Sequence, residues 1–138
     1  MELRCISKLI VIAGTLLIWL VKFGIRPMYN FGQPINFFLG IAPNLFSSFL
    51  IPFVACWFFT GRDFLIATIF RIHSLADLRF VCLVGFAMLI VNEYLQLIPI
   101  FGRTFDYFDI IFSTIGLWAS YLVFGKIYNK ILHLYYPN

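Results

Sequence analysis

Charge is scarce in this chain. Of its 138 residues, 12% are charged and 62% are hydrophobic. Soluble domains carry about 25% charged and about 45–50% apolar residues. A short chain keeps much of its surface exposed, so a water-facing fold of this size has nowhere to hide the surplus. An ordinary soluble domain is excluded, and lipid becomes the expected solvent. Cysteine and histidine are also few. Cys5, Cys56 and Cys82 show no metal-ligand spacing, and two of them lie inside apolar runs, where cysteine acts as a small hydrophobe. His73 and His133 form no ligand pattern. Neither a disulfide framework nor a metal site is expected, and no cofactor is implied. The chain has no HExxH, no phosphate loop and no Ser-His-Asp set; Ser113 has no histidine on its expected side of a membrane. The net charge of +4 comes from Lys and Arg at the ends of apolar runs, not from a basic stripe. That excludes nucleic acid and makes anionic lipid headgroups the natural partners.

What the chain has in abundance is long apolar runs. The first, Leu9 to Val21, lies between Lys8 and Lys22. Arg4 and Lys8 before it also suit a signal peptide, but no small-x-small cleavage site follows, so a retained helix over about 6–25 is expected. Residues 27–38 have loop composition, with Pro27, Asn30, Gly32, Pro34 and Asn36, and interfacial aromatics. The second helix is expected over about 39–60, with Pro43 in its first turn and a kink at Pro52. Residues 64–72 are too few to span a core needing about 20. They suit an interfacial segment or a continuation of the second helix. The third helix is expected over 78–100 with Asp77 as N-cap, and the fourth over 106–126 with Asp106 or Thr104 as its cap. After it, Ile127, Ile131 and Leu134 share a face, as in a helix lying along the membrane surface. The fold class is therefore all-α: one domain, a polytopic membrane protein of four transmembrane helices. Seven basic residues (Arg4, Lys8, Arg62, Arg71, Arg79, Lys126 and Lys130) would lie on one side, and three (Lys22, Arg26 and Arg103) on the other. By the positive-inside rule both termini are expected to be cytoplasmic.

Polar groups in lipid are costly, about 2.5–3.5 kcal/mol for a charge at a helix centre. Most of those near the spans fall in one segment: Asn92, Glu93, Gln96, Arg103, Asp106, Asp109 and Ser113. Glu93 and Gln96 share a helix face. Asp106, Asp109, Ser113, Gly116 and Ser120 recur at spacings of 3, 4, 3 and 4, a single stripe of small or polar residues. Small residues let another helix approach closely. The turn from Pro99 to Thr104 is expected to bring the two polar faces together, with Arg103 in reach of the carboxylates. Asn44, Ser47 and Ser48 form a weaker polar patch on the same side. Such a cluster serves either as a site or as an ion-pair network pinning the third helix to the fourth.

The segment Glu93-x-x-Gln96, Pro99, Arg103, Asp106, Asp109 and Gly116 resembles the VanZ-like family of small bacterial membrane proteins. The likeness is close over about residues 92–118. Elsewhere it lies in the hydrophobic layout, with Pro43-Asn44 similar to the polar start of an earlier helix in the family. Ser113 stands where the family commonly has Asn. The resemblance implies a bacterial cytoplasmic membrane location. The founding member is associated with resistance to the glycopeptide teicoplanin.

The expected function is an outward-facing polar pocket formed by Glu93, Gln96, Arg103, Asp106, Asp109, Ser113 and Asn44. It would bind or modify a cell-envelope lipid, a lipid-linked precursor or a glycopeptide-like amphiphile. Arg103 would meet a phosphate or carboxylate. Two alternatives stay open. One is an intramembrane enzyme with Glu93 or Asp109 as general base. The other is a structural subunit whose seam docks a second copy or another membrane protein.

Overall fold

In the computed structural model, residues 2–28, 32–95 and 106–135 are described. They are almost wholly helical, with no strand among them. Four helices are long and apolar enough to cross a membrane: Leu3–Met28, Pro34–Phe59, Leu75–Leu95 and Tyr107–His133. The shortest has 21 residues, about 31 Å, which matches a hydrocarbon core of about 30 Å. The chain is built as a multi-pass membrane protein.

The first span comprises α1 (Glu2–Trp19), a π-helical stretch (Leu20–Ile25) and α2 (Arg26–Met28). The wide turn holds Lys22 and Gly24, and the Arg26 N–H donates to the carbonyl of Val21. The second span, α3 (Gln33–Phe59), begins earlier than the expected residue 39. Gly32 is its N-cap, and its carbonyl accepts from the Ile35 and Asn36 N–H groups. Pro34 sits in the first turn, where a missing N–H costs nothing. Composition that reads as loop is here a helix start.

Gly61, at φ 78°, turns the chain out of α3. Residues 64–72 are a separate short helix, α4 (Leu65–Phe70), not a continuation of α3. It is tucked in by Ala67, fully buried, and by the stacking of Phe70 on Phe59. Arg71 closes this connection on the Arg62 carbonyl and on Asp63 at 3.0 Å. The third span, α5 (Leu75–Leu95), starts before the expected residue 78. The cap is Ser74, whose hydroxyl accepts from the Asp77 N–H at 3.2 Å, while Asp77 accepts from the N–H groups of His73 and Ser74. Asp77 is thus the inner half of a capping box. Residues 96–100 of the expected third helix lie outside the described residues. The fourth span, α6 (Tyr107–Tyr135), runs unbroken through the tail, so residues 127–135 continue the spanning helix and form no separate surface segment.

α3 and α6 run parallel and pack most extensively. Phe37 meets Phe108, Leu45 meets Gly116, Phe49 meets Ser120 and Phe53 meets Phe124, always 71 positions apart. A Cβ on Gly116 would fall under 3.0 Å from the Leu45 carbonyl oxygen and the Ser48 hydroxyl. Ser120 donates to the Phe49 carbonyl. This bond lies beside the turn that Pro52 loosens, since Pro52 has no N–H for the Ser48 carbonyl. α1 packs on α3 at Gly14 and Leu50, and α5 packs on it at Gly85 and Ile51.

The bundle has two unlike ends. The proximal end holds the start of α1, the 60–74 connection and the tail of α6. The distal end holds α2, the start of α3, the end of α5 and the start of α6. The apolar core lies in the proximal half: Val11, Phe53, Cys56, Leu78, Val81 and Phe124 are all buried there. Large apolar side chains such as Leu16, Leu83 and Trp118 face outward, as lipid-exposed residues should.

The glycines give a graded test. Gly116→Leu should cost about 3 kcal/mol or more, because the obstacle is backbone. Gly85→Ala should cost less, since only the Ile51 side chain must move. Gly125→Ala, with its nearest atom at 4.0 Å, should be neutral or stabilise by up to about 1 kcal/mol. Thermal unfolding in detergent reads the order; equal losses at all three positions would refute it.

Candidate functional site

Three helices carry polar groups to the distal end, and each points to the next. On α5, the side facing α6 is set by Leu75, which approaches Gly125, and by Arg79, whose Nε donates to the Tyr121 hydroxyl at 3.2 Å. Cys82 and Phe86 lie on that side, and Glu93 repeats their position two turns beyond Phe86. Glu93 is buried, 7% exposed. Its carboxylate is therefore held inside the bundle, level with the first turns of α6.

On α6, the face turned to α3 is the stripe read from the sequence. Gly116 and Ser120 touch α3, and Ser113 is buried one turn distal to Gly116. Asp109, half-buried, precedes Ser113 by one turn on the same face. On α3, Ile51 marks the face turned to α5, and Asn44 lies two turns distal on it, half-buried. The Asn44 carbonyl accepts the Ser47 hydroxyl at 3.0 Å, and the Leu45 carbonyl accepts the Ser48 hydroxyl at 2.9 Å. These hydroxyls are turned back on their own helix, as serine commonly is in spans.

Of the expected set, Glu93, Asp109, Ser113 and Asn44 lie in the distal halves of α5, α6 and α3, each on a face turned to a neighbouring helix. Asp106 is exposed and acts as the helix cap: it accepts the Phe108 N–H at 2.9 Å through its side chain and the Asp109 N–H at 3.1 Å through its carbonyl. Gln96 and Arg103, with the whole Pro99–Thr104 turn, lie outside the described residues.

Two features were missed in the sequence. Arg26 contributes more than positive charge. Its guanidinium lies 4.0 Å from where a Cβ on Gly40 would stand, one turn distal to Asn44. The signal available was Gly40 itself, a residue without a side chain one turn before Asn44. The second is the partner of the small-residue stripe. Gly116 and Ser120 pack against α3 of the same chain, so this surface is closed to a docking partner.

Chemically, the junction offers carboxylates, an amide and a hydroxyl, with a guanidinium at its edge. It is suited to recognising hydroxyl, amide and amine groups, and to holding an anion at the rim. Among the described residues, no three of His, Cys, Asp and Glu group to hold a metal ion. No family model, no curated protein and no solved structure matches the chain.

Proposed function

We propose that this protein binds the polar headgroup of a cell-envelope amphiphile at the distal junction, in a bacterial cytoplasmic membrane with that junction facing outward. The observation that carries the reading is the placement of Glu93: a buried carboxylate on the α5 face turned to α6, at the level of the first turns of α6 that carry the half-buried Asp109 and the buried Ser113. Charges inside spans are costly, and where they occur they mark ligand or ion sites by default. A leucine at residue 93 would serve packing better than a carboxylate. The concentration of such groups at one end, opposite an apolar core, supports a site over scattered interhelical pinning.

The chemistry favours a headgroup rich in hydroxyl or amide donors, which the carboxylates accept, with a phosphate or carboxylate at the rim near Arg26. A lipid-linked envelope precursor and a glycopeptide-like amphiphile both fit that description. The likeness of residues 92–118 to VanZ-like proteins points the same way. Outward placement of the distal end is supported by the charge count, because most Lys and Arg lie at the proximal end.

Binding is tested by native mass spectrometry of the protein purified in gentle detergent. The parent should retain an envelope lipid. The double variant Glu93→Gln/Asp109→Asn should lose it by about tenfold or more, the loss of charge-assisted hydrogen bonds, while its melting temperature stays near that of the parent. Undiminished retention would count against the site. Orientation is tested in a chain cleared of Cys5, Cys56 and Cys82. In intact cells a membrane-impermeant maleimide should label Gly32→Cys and leave Asn129→Cys untouched; the reverse pattern would overturn the assignment.

A further inference from the structure

A second feature lies on the outer flank of the bundle, in the proximal half. Between α5 and α6 runs an open groove of about 460 Å³, almost wholly apolar. Cys82 and Leu117 form its floor and are buried. Leu83, Phe86 and Trp118 form its walls, and Leu83 and Trp118 are each about two-thirds exposed to the surroundings. Thr114 also lines it, with its hydroxyl turned away to the Ile110 carbonyl at 2.7 Å, which leaves its methyl for the groove. From Arg79 to Phe86 the groove extends about 10 Å along the helix axis, enough for a stretch of acyl chain.

The proximal end of the groove carries a charge. Arg79 lies about 6 Å inside the start of α5, a depth at which a long side chain reaches headgroup level. The Tyr121 hydroxyl accepts from its Nε at 3.2 Å, and this is the only hydrogen bond of its guanidinium among the described residues. No carboxylate among them lies within ion-pair distance of it. The bond to Tyr121 fixes the plane of the guanidinium and leaves its two terminal amino groups for an anion, a geometry that suits phosphate. The neighbouring arginines are placed differently. Arg71 is paired with Asp63, Arg62 lies over the Phe58 ring at 4.2 Å, and Arg4 donates through Nε to the Trp57 carbonyl.

We propose that this groove is a binding site for an anionic phospholipid of the surrounding membrane, with the phosphate on Arg79 and one acyl chain along Trp118, Leu83 and Phe86. The charge selects the headgroup, and the groove holds the chain beneath it. This site is distinct from the distal junction and does not depend on what that junction binds.

Trp118 reports occupancy. In a chain with Trp19→Phe and Trp57→Phe, it is the sole tryptophan. The protein is reconstituted into phosphatidylcholine vesicles containing either brominated phosphatidylglycerol or brominated phosphatidylcholine at equal, low mole fraction. The anionic quencher should occupy the groove about five-fold more often than the zwitterionic one, the preference expected for one basic residue. Arg79→Gln should bring the two to equality. Native mass spectrometry of the unaltered chain from mixed-lipid nanodiscs gives the same preference without the tryptophan substitutions. Equal quenching by both lipids, or a preference that persists in Arg79→Gln, would overturn the proposal.

Discussion

Helices in lipid gain little by hiding apolar surface from one another, because the alternative solvent is as apolar as leucine. What holds such a bundle is close approach, and here the closest approach is Gly116 of α6 against the Leu45 carbonyl and Ser48 of α3. The absence of a side chain at one position lets two parallel helices keep a constant register from Phe37–Phe108 to Phe53–Phe124. The Ser120 hydroxyl on the Phe49 carbonyl secures the same seam. Such a bond contributes about 0.6 kcal/mol in a membrane helix pair, so the tight packing is the larger effect. α1 and α5 then take places around α3, each with its own glycine against a branched side chain, Gly14 at Leu50 and Gly85 at Ile51.

The seam also decides where the polar groups lie. Because α3 and α6 are parallel, the early turns of both face the same end, and the stripe that buries Gly116 carries Asp109 and Ser113 outward to that end. α5 runs the opposite way and ends there, which brings Glu93 to the same level. The proximal half fills with Phe53, Phe124 and Leu78, all fully buried. One half of the bundle is thus an apolar core, and the other carries the polar side chains of α3, α5 and α6.

Much of this was legible in the chain. Four apolar runs of sufficient length predict four spans, and spacings of 3 and 4 predict that Asp109, Ser113, Gly116 and Ser120 share one face. A cap at Asp106 or Thr104 follows from their place before the last run, and Asp106 takes that place. What could not be read was the identity of the face opposite the stripe. Close approach is a property of two helices: Leu45 is one apolar residue among many in its run, and Ser48 reads only as part of a polar patch with Asn44 and Ser47. From the run alone, the third helix or an outside partner is as good a match for the stripe as α3. The ends of helices were misread for local reasons. Pro34 and Asn36 count as loop formers, yet proline fits a first turn, and Asp77 resembles an N-cap when Ser74 three residues earlier holds that place. The Arg26 approach to Gly40 depends on a π-helical stretch, Leu20–Ile25, that no pattern in the run announces.

The central claim, that α3 and α6 are parallel neighbours in fixed register within one chain, is tested most directly by cross-linking in native membranes. In a chain cleared of Cys5, Cys56 and Cys82, a short bismaleimide should join Phe37→Cys to Phe108→Cys, and Phe53→Cys to Phe124→Cys, within a single chain. The mismatched pair Phe37→Cys/Phe124→Cys should stay open. Cross-links in the mismatched pair, or only between separate chains, would contradict the account.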